Sequence, residues 1–319
     1  MLLSRLVLRT AGLCALSACV SNVELTPPPA ASPAWVVAQS GATVMIGAGD
    51  IASCTTPNDE ATARLVDSVL VADSVAKVPD VVFTLGDNVY ESGTATEFAR
   101  CFTPSWGDPA KRIMKNVRPA PGNHDYRSPG AAPYFAYFGE AAGKAGEGYY
   151  SYKAGEWHVV VLNSEIIVNP AFSDAARSAQ MAWLEKDLSA STALCTVAYW
   201  HNPRFSSGWH GSNRKLIPVW ERLIEHKVEL VLNGHDHDYE RFRPQTPEGV
   251  VDTTSGLTQI VVGTGGYELR RFETILPNSA ARVSGRPGVL LLVLGGAEYR
   301  SAFLEVGGRI WDSQGGKCR

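Results

Sequence analysis

"VVFTLGDNVY", Val81 to Tyr90, joins a strand-like apolar run to a sharp polar turn. Val81, Val82 and Phe83 suit a buried strand, and Gly86 then turns the chain. Asp87 follows at once and Tyr90 comes three residues later. An aspartate and a tyrosine at the mouth of a strand either pack beneath their loop or bind something. The same arrangement recurs along the chain, and its recurrence sets both the fold and the chemistry.

Working outward, the pattern alternates. Strands are predicted at 43–48, 80–85, 157–162, 194–200 and 228–232. Helices are predicted over 57–77, near 174–188 and near 213–226, the first with Thr56 as N-cap and Pro57 at its first position. On that helix Leu65, Val69, Ala72 and Ala76 share one face. After residue 257 the reading is mostly strands, at 258–263, 289–294, 298–306 and 309–312. This is an α/β chain with β-rich additions, and a mixed-sheet sandwich with helices outside follows.

Five segments place metal-binding residue types just past a short apolar run. They are "GAGD" with Asp50, "GDNVY" with Asp87 and Tyr90, "GNHD" with Asn123, His124 and Asp125, "VAYWH" with His201, and "GHDH" with His235 and His237. Open α/β sheets put ligand sites beyond the carboxyl ends of their strands, so these segments should converge. Of seven histidines, four lie in these segments, and His210 follows His201 by nine residues. His158 reads as a sheet residue and His226 as a helix C-terminal cap. Carboxylates, imidazoles and an amide together suit hard or borderline cations. Two aspartates and three or more histidines exceed one tetrahedral zinc. They fit two metals about 3.5–4 Å apart, with Asp87 bridging.

In this order the motifs resemble the purple acid phosphatase branch of the calcineurin-like metallophosphoesterases. The motifs span residues 49–237. The resemblance implies a four-layer α/β/β/α sandwich with two mixed β-sheets flanked by helices. It also implies two metal ions, Fe(III) with Fe(II), Zn or Mn. Asp50, Asp87, Tyr90 and His237 would hold the first. Asp87, Asn123, His201 and His235 would hold the second. The wider superfamily has D-x-H where this chain has Asp50-Ile51-Ala52, and the resemblance implies that Tyr90 would supply the ligand missing at Ala52. A phenolate suits Fe(III) and gives the colour that names the family.

The implied activity is hydrolysis of phosphate monoesters of small molecules. Hydroxide from a water acidified by the metals attacks phosphorus in line. His210, assisted by His124, protonates the leaving alkoxide. Asp125 is expected to orient His124. Arg204 either reaches the phosphate or lies solvated in its loop, and Asp238, Glu240 and Arg241 read as supporting or structural residues. The rival readings are a phosphodiesterase or nucleotidase on the same centre, and a surface-anchored binding protein without catalysis.

The N-terminal segment carries an expectation about location. "MLLSRLVLR" and the short apolar "AGLCALSA" lay out an export signal too short to span a membrane. "LSAC", Leu16 to Cys19, resembles a bacterial lipobox, so residues 1–18 read as signal peptide and Cys19 as a lipid anchor to the membrane. Val20 after the cysteine leans towards the outer membrane of a Gram-negative cell. Residues 19–36 form a Pro-rich tether, and 37–319 the metallophosphoesterase domain. Removing 1–18 takes Arg5 and Arg9 away and moves the net charge from −3 to −5. With no basic block, nucleic acid is not an expected partner. Beyond the signal, Cys54, Cys101, Cys195 and Cys318 remain, an even number that suits disulfides in an exported chain. Of the three pairings, Cys54–Cys101 with Cys195–Cys318 is favoured, because Cys54 and Cys101 each follow a candidate site loop closely.

Overall fold

A computed structural model describes residues 41–76 and 78–319. The expected signal at 1–18, the Cys19 anchor, the tether at 19–36 and the domain's start at residue 37 lie outside the described residues.

The chain opens with β1 (Thr43–Ala48), α1 (Asn58–Ala76) and β2 (Asp80–Leu85). A short α2 (Ala95–Glu97) precedes β3 (Val117–Ala120) and α3 (Ala132–Phe138). Next come β4 (Tyr150–Ala154), β5 (Trp157–Val161), α4 (Ser164–Val168) and α5 (Asp174–Ala190). Then follow β6 (Thr196–Tyr199), α6 (Ile217–Glu225), β7 (Leu230–Asn233) and β8 (Tyr239–Phe242). The chain finishes with β9 (Thr258–Val262), β10 (Ser279–Val283), β11 (Gly288–Leu294), β12 (Glu298–Glu305) and β13 (Ile310–Lys317).

The strands form two mixed sheets. One has the order β13-β12-β11-β1-β2-β3, the other β10-β8-β9-β7-β6-β5-β4. Parallel pairing joins β1, β2 and β3 in the first and β5, β6, β7 and β9 in the second. The side-chain alternation of a strand explains the layering. Leu230 and Leu232 of β7, with Ile260 and Val262 of β9, join the main core shared with the first sheet. Val231 and Val261 point the other way and pack with Leu184 and Leu188 of α5 and Val219, Trp220 and Leu223 of α6. On the far side α1 lays Ala63, Val66, Val69 and Leu70 into the main core. Helix, sheet, sheet, helix is the four-layer arrangement expected from the sequence.

Some elements differ from the sequence reading. Thr56 is not the residue that flanks α1, because the helix starts at Asn58, one residue past Pro57; the Thr56 hydroxyl donates to the Gly266 carbonyl (2.9 Å). β3 reads "VRPA", and Pro119 hides it from propensity; as an edge strand it tolerates the missing N–H. Short β4, β8 and β10 and helix α3 were not predicted either. β13 runs through "SQGGK", far past the predicted 309–312, because pairing with β12 overrides poor strand formers. Both favoured disulfides are present, Cys54–Cys101 and Cys195–Cys318. Among the described residues, no helix is long and apolar enough to cross a membrane.

Candidate metal centre

The parallel strands of both sheets end at one place. β1 leads to Asp50, β2 to Asp87, β3 to Asn123 and His124, β6 to His201, and β7 to His235. Backbone bonds lace these ends together. Gly49 N–H donates to the Val262 carbonyl of the other sheet (2.8 Å), Asp50 N–H to Gly86 (3.1 Å), and Gly234 N–H to His201 (3.0 Å). Three of the polar residues sit in the left-handed region, Asp50 at φ 58°, Asp87 at 49° and His235 at 73°. Each such non-glycine position costs about 1–3 kcal/mol, which the surrounding bonds must offset. Gly86 has φ +84°, and a Cβ there would lie 2.6 Å from His201 Nδ1. Only glycine lets the imidazole close over the turn.

Two clusters share Asp87. In the first, the Tyr90 hydroxyl donates towards Asp50 Oδ1 (2.8 Å) and Asp87 Oδ2 (3.0 Å), with His237 Nε2 at 3.4 Å. His237 Nε2 also lies 3.4 Å from Asp50 Oδ1. In the second, His201 Nε2 stands 3.3 Å from Asp87 Oδ2, 3.0 Å from Asn123 Oδ1 and 3.1 Å from His235 Nδ1. Backbone groups aim the rings and carboxylates. His201 Nδ1 meets the Leu85 carbonyl (2.7 Å) and His237 Nδ1 the Glu268 carbonyl (2.7 Å), so each Nε2 faces inward. His124 N–H donates to Asp87 Oδ1 (2.7 Å), and His235 N–H to Asp50 Oδ2 (2.8 Å).

The electrostatics fit cations. Burial would raise Asp87, but His201 above all, with His124, holds its carboxyl well below the carboxylate range. Burial would likewise lower His201, but Asp87, with Asp50, pushes it up to about 10. Burial, together with His201 and His210, pushes His235 well down, leaving a neutral ring with a lone pair to give. Burial, Asp50 and Asp87 push the Tyr90 phenol well up. The proton of Tyr90 thus sits between two carboxylates where a cation would replace it. One His201 N–H can satisfy only one of its three close neighbours, whereas a metal satisfies several at once. Asp87, His201 and His235 bring ligand atoms within 4.8 Å of one another. The residues present therefore fit metal ions, with Asp87 common to the two clusters.

The other candidates fall into place around this core. His210 stacks on His235 (4.1 Å between centroids), and its Nδ1 meets Asp236 Oδ1 at 3.0 Å. His124 packs against the Tyr90 ring (4.3 Å) with Nδ1 on the Glu91 carbonyl (2.6 Å). That carbonyl, not Asp125, orients His124. Asp125 Oδ2 instead accepts from Gly122 N–H (2.9 Å) and Asn88 Nδ2 (3.0 Å), tying the Asn123 turn to the Asp87 turn. Burial and Asp87 push Asp125 up to about 7. Arg204 is neither solvated nor at the centre, since it is buried and its Nη2 donates to the Pro247 carbonyl (2.6 Å). Arg241 pairs with Asp312 (2.6 Å), and Glu240 accepts from Ser207. His158 sits in β5 against Asp187, and His226 caps α6.

Sequence reasoning passed over Asp236, Tyr267 and Glu91. Asp236 is fully buried and accepts from both the backbone N–H (2.8 Å) and Nδ1 of His210. Tyr267 stacks on Tyr90 at 3.7 Å, and its hydroxyl donates to Glu91. The available signal for Asp236 was its place between two candidate ligand histidines, His235 and His237.

Comparison with known proteins agrees. The calcineurin-like phosphoesterase family matches residues 46–239, well over half of the chain. The chain belongs to that family. Purple acid phosphatase 15 of Arabidopsis thaliana is 28% identical over 222 residues, covering 59% of this chain and 40% of that protein. Purple acid phosphatase 17 of the same plant is 25% identical over 190 residues, covering 50% and 52%. The chain thus spans about half or less of these relatives. The purple acid phosphatase PPD1 from yellow lupin seeds superposes with TM-score 0.71 at 19% identity, over 87% of this chain and 54% of that one. GAP50, the anchor in the inner membrane complex of Plasmodium, superposes with TM-score 0.70 at 13% identity, over 88% and 90%. Both share the fold.

Proposed function

We propose that this protein is a metal-dependent hydrolase of phosphate monoesters. The observation that carries the reading is Asp87, whose Oδ2 lies 3.0 Å from the Tyr90 hydroxyl and 3.3 Å from His201 Nε2 and so belongs to both clusters. Asp50, Asp87, Tyr90 and His237 would hold one metal, assigned as Fe(III) because of the phenol. Asp87, Asn123, His201 and His235 would hold the second, Fe(II), Zn or Mn. Bound there, the pair supplies charge neutralisation for the phosphate and an acidified water as nucleophile.

The chain's own residues do the rest. Asp236 holds His210 by Nδ1, and His210 Nε2, which lies 3.5 Å from Arg270 Nη1, would give a proton to the departing alcohol oxygen. The Glu91 carbonyl holds His124 by Nδ1, and His124 flanks the phosphate from the Tyr90 side. Export, with a lipid on Cys19 holding the protein at the cell envelope, belongs to the same proposal. Two disulfides support an oxidising compartment.

The test is turnover of p-nitrophenyl phosphate and bis-p-nitrophenyl phosphate by metal-loaded protein, beside Asp87→Ala. Monoester hydrolysis that exceeds diester hydrolysis and disappears in the variant is expected. Substantial activity in Asp87→Ala would sink the two-metal reading. Faster diester hydrolysis would favour the phosphodiesterase.

A further inference from the structure

The ring contacts at the centre continue outward. His201 meets His235 at 4.8 Å between centroids, His235 meets His210 at 4.1 Å, and Trp209 lies 6.3 Å from His210 and within 14° of parallel. His201 is fully buried, whereas Trp209 is 62% exposed. Among the described residues it is the one Phe, Tyr or Trp left exposed.

This indole is held, not loose. The Arg270 guanidinium lies 4.6 Å over its ring. The backbone of Arg270 is tied to the site, its main-chain N–H donating to the His237 carbonyl (3.0 Å). Arg270 Nη1 stands 3.5 Å from His210 Nε2, so one guanidinium links the Nε2 edge of His210 to the indole. A Cβ on Gly208 would lie 2.6 Å from the Asp236 carboxyl carbon, so the Trp209 loop sits tight on Asp236. A fixed apolar ring facing water gains from a flat partner that covers it.

The position says which part of a substrate would do so. If His210 protonates the leaving oxygen, the alcohol half of the ester lies beside His210. It then meets Trp209 next. We infer that Trp209, clamped by Arg270, is a leaving-group subsite that selects monoesters whose alcohol half carries a planar π system, an aryl ring or a nucleobase. The inference rests on the phosphatase reading above and names a substrate class for it.

The experiment compares wild type with Trp209→Ala and Trp209→Phe on 5′-AMP, phenyl phosphate and glycerol 3-phosphate. 5′-AMP and glycerol 3-phosphate are both primary alkyl esters, so their chemistry matches and the base is the difference. In Trp209→Ala the ratio of kcat/KM for 5′-AMP over glycerol 3-phosphate should fall about 5- to 100-fold, the worth of one base stack. Trp209→Phe should retain most of it. A parallel fall for phenyl phosphate extends the preference to aryl rings, and a fall for one ester alone identifies the source. Unchanged ratios for both aromatic esters overturn the inference. A second readout needs no turnover: saturation-transfer NMR with adenosine, whose purine signals should appear with wild type and vanish with Trp209→Ala. Protein that hydrolyses no ester yet shows this loss would overturn the phosphatase reading and keep the subsite. Absence of the purine signals in wild type would overturn the subsite.

Discussion

Tyr90 carries the sharpest consequence for any single side chain. Its hydroxyl is pinned between Asp50 and Asp87 and its ring is stacked on Tyr267. Tyr90→Phe keeps the stack and removes one oxygen. Protein loaded with iron should show a visible band, and Tyr90→Phe should lose it while still binding divalent metal. A colourless wild type that binds only divalent ions would return Tyr90 to packing. Asp236 makes a different demand, because it touches His210 but none of the ligand atoms described above. Asp236→Asn should slow glycerol 3-phosphate about 10- to 100-fold and p-nitrophenyl phosphate far less, since only the alkoxide needs the proton badly. An equal loss on both esters would assign Asp236 to folding alone. The proximity of Asp50, Asp87, Asn123, His201, His235 and His237 was legible because each lies in a polar turn shortly past an apolar run. Asp236, Glu91 and Tyr267 were not, since their roles depend on loops that meet only in three dimensions.

Elements add constraints that no motif states. The turn from β2 into Asp87 needs Gly86 at φ +84°, under the His201 ring. Gly86→Ala should cost about 2 kcal/mol or more and weaken metal binding, because both the backbone and the imidazole must shift. Thermal denaturation and metal titration read the two effects, and an unchanged variant would show that the turn has slack. On the outer face α1 buries Asp73, which is 2% exposed. Burial, then the Asp80 carboxylate of β2, push Asp73 up to about 6. A raised carboxyl favours the protonated native state, so its contribution is present below about pH 4 and is lost as pH rises through 6. Asp73→Asn should therefore gain stability over wild type at pH 8, by at most about 3 kcal/mol, with little difference at pH 4. Chemical denaturation at both pH values checks this, and a gain at pH 4 alone would contradict it. The long strands β1, β2 and β11 and helices α1 and α5 were legible from period alone. β3, β8 and β10 were not, because they are short, interrupted by Pro119 or flanked by charge, and are set by their partners.

The two disulfides divide the molecule into a site end and a far end. Cys54 follows the Asp50 loop, and Cys101 lies near Tyr90 and Glu91, where these residues line a common cavity. Cys195 stands just before β6, at the opposite end of that strand from His201, on the order of 15–20 Å away by strand rise. Its partner Cys318 follows β13 of the other sheet, so this bond joins the two sheets far from the candidate metal centre. Arg319 reinforces it, with its N–H on Glu229 (3.1 Å) and its guanidinium on the Val228 and Gly256 carbonyls. Each bond closes a long loop, 47 and 123 residues, and should contribute about 2–4 kcal/mol by restricting the unfolded chain. Their effects on activity should separate. The Cys195→Ala/Cys318→Ala pair should lower the denaturation midpoint while leaving kcat/KM within about threefold, provided the assay runs well below the new Tm. The Cys54→Ala/Cys101→Ala pair should lower both, because it frees the loops that carry Asp50 and Tyr90. Equal losses of activity in the two pairs would mean that the sheets transmit strain along their full length to the metal centre. A loss confined to the Cys195–Cys318 pair would reverse the assignment of the ends.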